Sequence, residues 1–119
     1  MKPHIKNMPR EEVVALADLV QIQAGQVVSR TLAQNDHVSL TVFAFDKGEE
    51  ISTHESTGDA LVTVLSGEGT FTVDGKPHDV KAGESLLMPA KKPHSVYGKE
   101  AFKWLLTVVF PTEKKSKKD

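Results

Sequence analysis

The residues with the clearest capacity for chemistry are the five histidines, because the chain contains no cysteine. Without thiolates, a metal centre or an acid–base centre must be built from His, Asp and Glu side chains. His4 falls in an N-terminal leader, while His37 and His78 adjoin predicted turns and are expected on the surface. His54 and His94 each lie at the edge of an apolar segment, where rigid scaffolds usually carry functional groups. These two histidines are the candidates for a shared site.

Short β-strands are the elements that must position these histidines. Beyond the first twenty residues, apolar and polar residues alternate with period two, and segments such as 38–45 are rich in β-branched and aromatic residues. Asp74-Gly75 is a strong hairpin signal, because a two-residue type I′ turn requires positive φ at both central positions. Residues 49–59, which include His54, are predicted to form a loop. The nine or ten strands that we count indicate an all-β, antiparallel sandwich or barrel.

The N-terminal region is predicted to contain one short helix. Pro9 suits the first helical position, and Glu11 and Glu12 follow where the helix dipole favours negative charge. The apolar residues that recur at helical spacing are Val13, Leu16, Ala17 and Val20. This pattern predicts a one-sided helix of about ten residues, whose apolar face must cover another part of the molecule.

Length and charge exclude several classes of protein. The chain has 119 residues, the length of one globular domain, and 39% of them are apolar. A formal net charge of −1 argues against a nucleic-acid partner, since binding phosphates requires a clustered excess of Lys and Arg. No apolar run approaches the ~18–20 residues of a membrane span, and the N-terminus lacks a signal-peptide pattern. We therefore expect a cytoplasmic protein without a nucleic-acid or membrane partner.

Two glycine-framed motifs make the chain resemble the cupin family. The first motif runs Gly48-x5-His54-x-Ser56-x3-Ala60-x6-Gly67. The second motif runs Gly83-x5-Pro89-x-Lys91-x2-His94. The resemblance covers roughly residues 38–110 and includes the Asp-Gly hairpin between the motifs. It implies an antiparallel double-stranded β-helix, the cupin or jelly-roll barrel, preceded here by the short N-terminal helix.

The resemblance also implies a domain organisation and an oligomeric state. We expect a leader and helix at residues 1–24, a cupin barrel at 25–112 and a basic, flexible tail at 113–119. Small cupins resemble one another in pairing as dimers, so a homodimer is expected as well. The N-terminal helix and the first strand are candidates for the contact between subunits.

The first motif departs from the family at the residues that bind metal. In cupins with a complete site, two His and one Glu of the first motif and one His of the second hold a divalent metal. His54 and His94 occupy two of these positions, but Ser56 replaces the second His and Ala60 replaces the Glu. The resemblance therefore implies a divalent transition metal, such as Fe, Mn, Zn, Ni or Cu, held by His54 and His94 in an incomplete shell.

Three residues are possible accessory groups of this shell. Ser56 lies two residues after His54 and shares its face if the strand is regular, although a hydroxyl is a poor metal ligand. Asp59 offers an oxygen ligand, but it faces the other way unless the start of the strand is irregular. His37 is a candidate if a neighbouring strand brings it to the pair, which spacing does not decide.

Three classes of function are compatible with this pattern. The first is a metal-dependent enzyme, such as a dioxygenase, an isomerase or a lyase, as the resemblance implies. The second is a metal-independent, epimerase-like or isomerase-like enzyme that uses His54 or His94 as a base. The third is a metal-free module that binds or senses a small molecule in the barrel. In each case the partner is a small-molecule ligand close to the two histidines.

Overall fold

Two antiparallel β-sheets build the protein in the computed structural model, which describes residues 3–111. The five-stranded sheet has the order β1-β2-β9-β4-β7, and the four-stranded sheet has the order β3-β8-β5-β6. The strands are β1 Val27–Gln34, β2 Val38–Phe45, β3 Glu50–His54, β4 Asp59–Ser66, β5 Glu68–Val73, β6 Lys76–Lys81, β7 Ser85–Met88, β8 His94–Tyr97 and β9 Phe102–Val109. The prediction of an all-β antiparallel fold is confirmed. The tail predicted at 113–119 lies outside the described residues.

An aromatic cluster joins the two sheets. The Trp104 ring of β9 stacks on Phe43 of β2, with ring centroids 4.6 Å apart. It also meets Phe71 of the opposite sheet edge-on, at 5.0 Å. Gly69 allows this close packing, because a Cβ at that position would lie 2.3 Å from the ring of Phe102. These contacts fill one region of the interior with side chains.

The turn between β5 and β6 has the predicted form. Asp74 and Gly75 both have positive φ angles, 52° and 83°. Val73 and Lys76 pair across this two-residue turn. These angles and this pairing confirm the hairpin prediction. The turn forms here because Gly tolerates positive φ and Asp adopts it more readily than most residues.

The prediction of a ten-residue helix is wrong, because no α-helix forms in this segment. A single 3-10 turn, Leu16–Leu19, forms in its place. Glu11 has a left-handed φ of 56° and Ala15 is extended, so the preceding residues cannot continue a helix. Val13, which was predicted to lie on the buried apolar face of the helix, is fully exposed. Among residues 3–111, no helix is long and apolar enough for a membrane span.

This N-terminal segment covers part of the outer face of the five-stranded sheet. Val20 is buried in one cluster with Leu32 of β1 and Val42 of β2, and Leu16 packs against that cluster. The Lys6 backbone N–H donates a hydrogen bond to the Leu32 carbonyl at 2.8 Å. The segment is thus held by packing against the sheet rather than by helical hydrogen bonds.

Strand β3 lies within the predicted loop at residues 49–59. Four of its five side chains are exposed, so the alternation of apolar and polar residues that marks most of the other strands is missing. The strand is the outermost of the four-stranded sheet, in which its neighbour is β8. It carries His54 at its last position.

Candidate functional site

His54 and His94 face each other across the β3–β8 pair. They are direct partners in the antiparallel register. Their ring centroids are 4.3 Å apart, and the rings are inclined at 70°. His94 is only 4% exposed, whereas His54 is exposed. The structure therefore brings together one buried and one accessible imidazole, the two that the sequence analysis singled out.

A β-bulge in β3 is responsible for this pairing. Ile51 opposes Val96 and His54 opposes His94, so three steps along β3 match two steps along β8. In a regular ladder, Thr53 would oppose His94 and His54 would lie on the other face. The extra residue of a bulge reverses the side-chain alternation beyond it, and bulges are common next to active sites. Here the bulge places His54 on the same face as His94.

Backbone carbonyl groups fix the orientation of both rings. The Nδ1 atom of His54 lies 2.9 Å from the Ser52 carbonyl oxygen, and that of His94 lies 3.1 Å from the Lys92 carbonyl oxygen. Because a carbonyl oxygen only accepts hydrogen bonds, each Nδ1 carries the hydrogen. In the neutral rings, the Nε2 lone pairs are then available to a metal or a ligand.

The pKa of His94 lies below its ordinary value of 6.5. Burial is the main cause, since it disfavours the charged imidazolium, and the neighbouring His54 acts in the same direction. The hydrogen bond to the Lys92 carbonyl opposes this effect only in part. His94 is therefore neutral at pH 7, the form that binds metals.

Ser56 does not lie on the strand that carries His54. Strand β3 ends at His54, and Ser56 belongs to the connection that leads to β4. Its Oγ accepts a hydrogen bond from the Gly58 N–H at 3.1 Å, and its carbonyl accepts one from the Lys91 N–H at 2.7 Å. These bonds shape the loop, so the shared strand face expected for Ser56 is replaced by a turn.

Neither Asp59 nor His37 joins the histidine pair as a third ligand group. One carboxylate oxygen of Asp59 accepts the Ala90 N–H at 2.8 Å, and the residue lines a separate cleft of about 360 Å³. His37 lies in the turn between β1 and β2, where its carbonyl accepts the Phe110 N–H at 3.0 Å. Across residues 3–111, no three side chains of His, Asp, Glu or Cys converge on one point.

The strand position that carries the carboxylate in the cupin motif is apolar here. Ala60 is buried at the start of β4, and its direct partner on β7 is Met88. Both residues belong to the main core cluster. Ala60 is the departure from the cupin motif noted above, and Met88 is its neighbour across the strand pair. The register of β4 and β7 reveals this neighbour, and no local sequence pattern does.

The sequence profile described as "Cupin domain" matches residues 41–109. The chain belongs to the cupin family. A conserved protein of unknown function from Streptococcus pyogenes has the same fold, with a TM-score of 0.91 and 43% identity over 93% of this chain and 97% of that one. A cupin superfamily protein from Desulfitobacterium hafniense has a TM-score of 0.87 and 37% identity over 92% of this cupin and 100% of that chain.

A relative with a named activity is more distant. The dimethylsulfoniopropionate lyase DddW of Ruegeria pomeroyi is 29% identical over 108 residues, which are 86% of this cupin and 71% of the lyase. The family and the matching structures establish a small single-domain cupin, and the predicted jelly-roll fold is thereby confirmed.

Proposed function

We propose that this cupin binds a transition metal ion through the Nε2 atoms of His54 and His94, and with it a small-molecule ligand. The observation that carries the proposal is the pairing of the two rings, each with its Nδ1 on a backbone carbonyl. Metal-binding histidines are typically held in this way, because the bond fixes both the tautomer and the ring orientation. Imidazole donors of this kind suit Zn, Cu, Fe and Ni.

The chain supplies part of a coordination shell and leaves the rest open. Burial keeps His94 neutral, and the carbonyls of Ser52 and Lys92 aim both imidazoles. A bound metal would supply a Lewis acid that polarises an oxygen of the ligand. Since Ser56 and Asp59 are engaged elsewhere, water or the ligand would complete the shell.

A lyase is the enzyme class that the comparisons favour among dioxygenases, isomerases and lyases. The support is the relative named as a dimethylsulfoniopropionate lyase, which shares 29% identity with this chain. Fold alone says little about chemistry, because one barrel can host unrelated reactions. Dimethylsulfoniopropionate is therefore the first substrate to offer to the metal-loaded protein.

Replacing either histidine is expected to lower metal affinity by about tenfold or more. His54→Ala and His94→Ala each remove one of the two protein donors, and the double variant should bind no metal. His37→Ala is the matched control, because His37 is exposed in a turn away from the pair. Metal content after purification without chelator, followed by titration with Zn²⁺ or Ni²⁺, provides the measurement. The wild-type chain should hold close to one equivalent.

A metal-free binding module is the second candidate. It is favoured by the absence of a third His or carboxylate beside the pair within the described part of the chain. A wild-type protein that is purified without metal and takes up none would reject the metal proposal. A thermal-shift screen with dimethylsulfoniopropionate, keto acids and sugars would then identify the ligand class by stabilisation without turnover.

We also propose a homodimer that uses the outer face of the five-stranded sheet. Leu61 and Leu87 are direct partners on β4 and β7, and they are 41% and 55% exposed. Val109, 56% exposed, lies on the neighbouring strand β9. Apolar patches of this kind are typical of protein contacts, and a two-fold dimer would bury the same patch on both copies.

Leu87→Glu is expected to convert the dimer to a monomer, because it places two charges in the buried centre of a symmetric contact. Val13→Glu is the matched control, since Val13 is a fully exposed aliphatic residue of the N-terminal segment. Sedimentation velocity measures both. A wild-type chain that sediments as a monomer would contradict the proposal.

A further inference from the structure

We propose that this site selects monovalent copper, with the thioether sulfur of Met88 as a third donor beside His54 and His94. The inference rests on the proposed metal function and specifies the metal and a further ligand. It arises from the pairing of Met88 with Ala60, the position at which the cupin motif carries its carboxylate ligand. A soft, uncharged donor is thus available where the hard, charged one is missing.

Met88 lies on the interior face of the barrel. It is 1% exposed, as is its cross-strand partner Ala60. Both belong to the buried cluster that also contains Val96 of β8. His94 lies two residues before Val96 on the same strand, and alternate residues of a strand share a face. His94 and Met88 therefore face one interior from opposite sheets.

Chain connectivity places these groups at one end of the barrel. Residues 89–93 connect Met88, the last residue of β7, to His94, the first residue of β8. Residues 55–58 connect His54, the last residue of β3, to the start of β4 beside Ala60. A hydrogen bond from the Lys91 N–H to the Ser56 carbonyl, 2.7 Å long, ties the two connections together.

The chemistry of these donors favours copper in its monovalent state. Two neutral imidazoles and a thioether form a soft set without charge. Thioethers select Cu(I), whereas carboxylates suit Mn, Mg and Ca. A centre beside the buried His94 also accommodates one positive charge more easily than two, because no carboxylate among residues 3–111 joins the pair to neutralise it. The site should therefore rank Cu(I) above Zn²⁺ and Mn²⁺.

Met88→Leu is the variant that isolates the sulfur, because leucine conserves the volume and apolar character of the buried side chain. Cu(I) affinity is measured anaerobically by competition with a chromophoric Cu(I) chelator. We expect Met88→Leu to weaken Cu(I) binding by about tenfold or more and to leave Zn²⁺ binding unchanged. Met8→Leu, in the N-terminal segment packed on the outer sheet face, should bind Cu(I) like the wild-type chain.

X-ray absorption of the wild-type protein loaded with Cu(I) gives a test that does not depend on how a variant folds. Sulfur scattering beside that of two imidazoles is the expected result. A copper shell without sulfur, or equal Cu(I) affinity of the wild-type and Met88→Leu proteins, would overturn the inference. If Zn²⁺ binding persists and still requires His54 and His94, the proposed metal function survives that outcome. If no metal binds at all, both fail.

Discussion

Replacing Trp104 by alanine is expected to lower the free energy of unfolding by about 3–5 kcal/mol. The indole is 1% exposed, and its ring packs against four phenylalanine rings drawn from both sheets. Truncation removes its buried apolar area and leaves a cavity that the rigid strands around it can close only in part. Urea denaturation of the two proteins, monitored by far-UV circular dichroism, measures the difference.

Trp104→Phe separates ring packing from the loss of the indole N–H. The Nε1 atom is buried and has no hydrogen-bond partner among residues 3–111. An unpaired buried donor costs about 1–3 kcal/mol, so its removal offsets part of the lost volume. Phenylalanine should therefore destabilise the protein much less than alanine does. Equal losses for the two variants would show that the aromatic contacts contribute little.

The parts of the fold that the sequence predicted are those where burial creates a pattern. In β5 and at the start of β9, buried residues alternate with partly exposed residues, and this alternation is readable without coordinates. The Asp74-Gly75 turn was also predictable, because few other residue pairs accept positive φ at both positions. Local chemistry decides both features, so local sequence is sufficient.

Features that depend on partners elsewhere in the chain were missed. Strand β3 is exposed at four of its five residues, and its hydrogen bonds to β8 hold it in place. The N-terminal segment has helical spacing, but packing on the sheet face stabilises an extended path in which Val13 points into solvent. In both segments, tertiary contacts outweigh the local preference.

The candidate site likewise has features that the sequence predicted and features that it did not. Motif spacing singled out His54 and His94, and in the structure their ring centroids are 4.3 Å apart. The spacing did not reveal that Ser56 would close a turn, nor that Met88 would lie opposite Ala60. The sequence carries no local signal for the bulge, because neither Gly nor Pro lies between Ile51 and His54. If side chains alternated regularly through this segment, His54 would lie on the face of the sheet opposite to His94.

Exchanging Thr53 and His54 is therefore expected to weaken metal binding as much as removing the His54 imidazole does. The double variant Thr53→His/His54→Thr has the same composition and charge as the wild-type chain. Ser52 and Thr53 together occupy the bulge opposite Ser95, so an imidazole at position 53 lies on the outer face of the sheet. Metal affinity should fall to that of His54→Ala, a loss of about tenfold or more, as measured by Zn²⁺ titration.

Deleting Thr53 gives the opposite expectation and makes the test decisive. Without the extra residue, a regular ladder still places Ile51 opposite Val96 and His54 opposite His94. The shortened strand should thus keep its metal affinity, although it has lost a residue next to the ligand. If β3 were regular in the wild-type chain, with Ile51 opposite Val96, position 53 would oppose His94 and His54 would face outward. Both the exchange and the deletion would then bring an imidazole opposite His94 and raise metal affinity above that of the wild-type protein. A loss of affinity on exchange together with retained affinity on deletion therefore identifies the bulge, and a gain of affinity in both variants would contradict it.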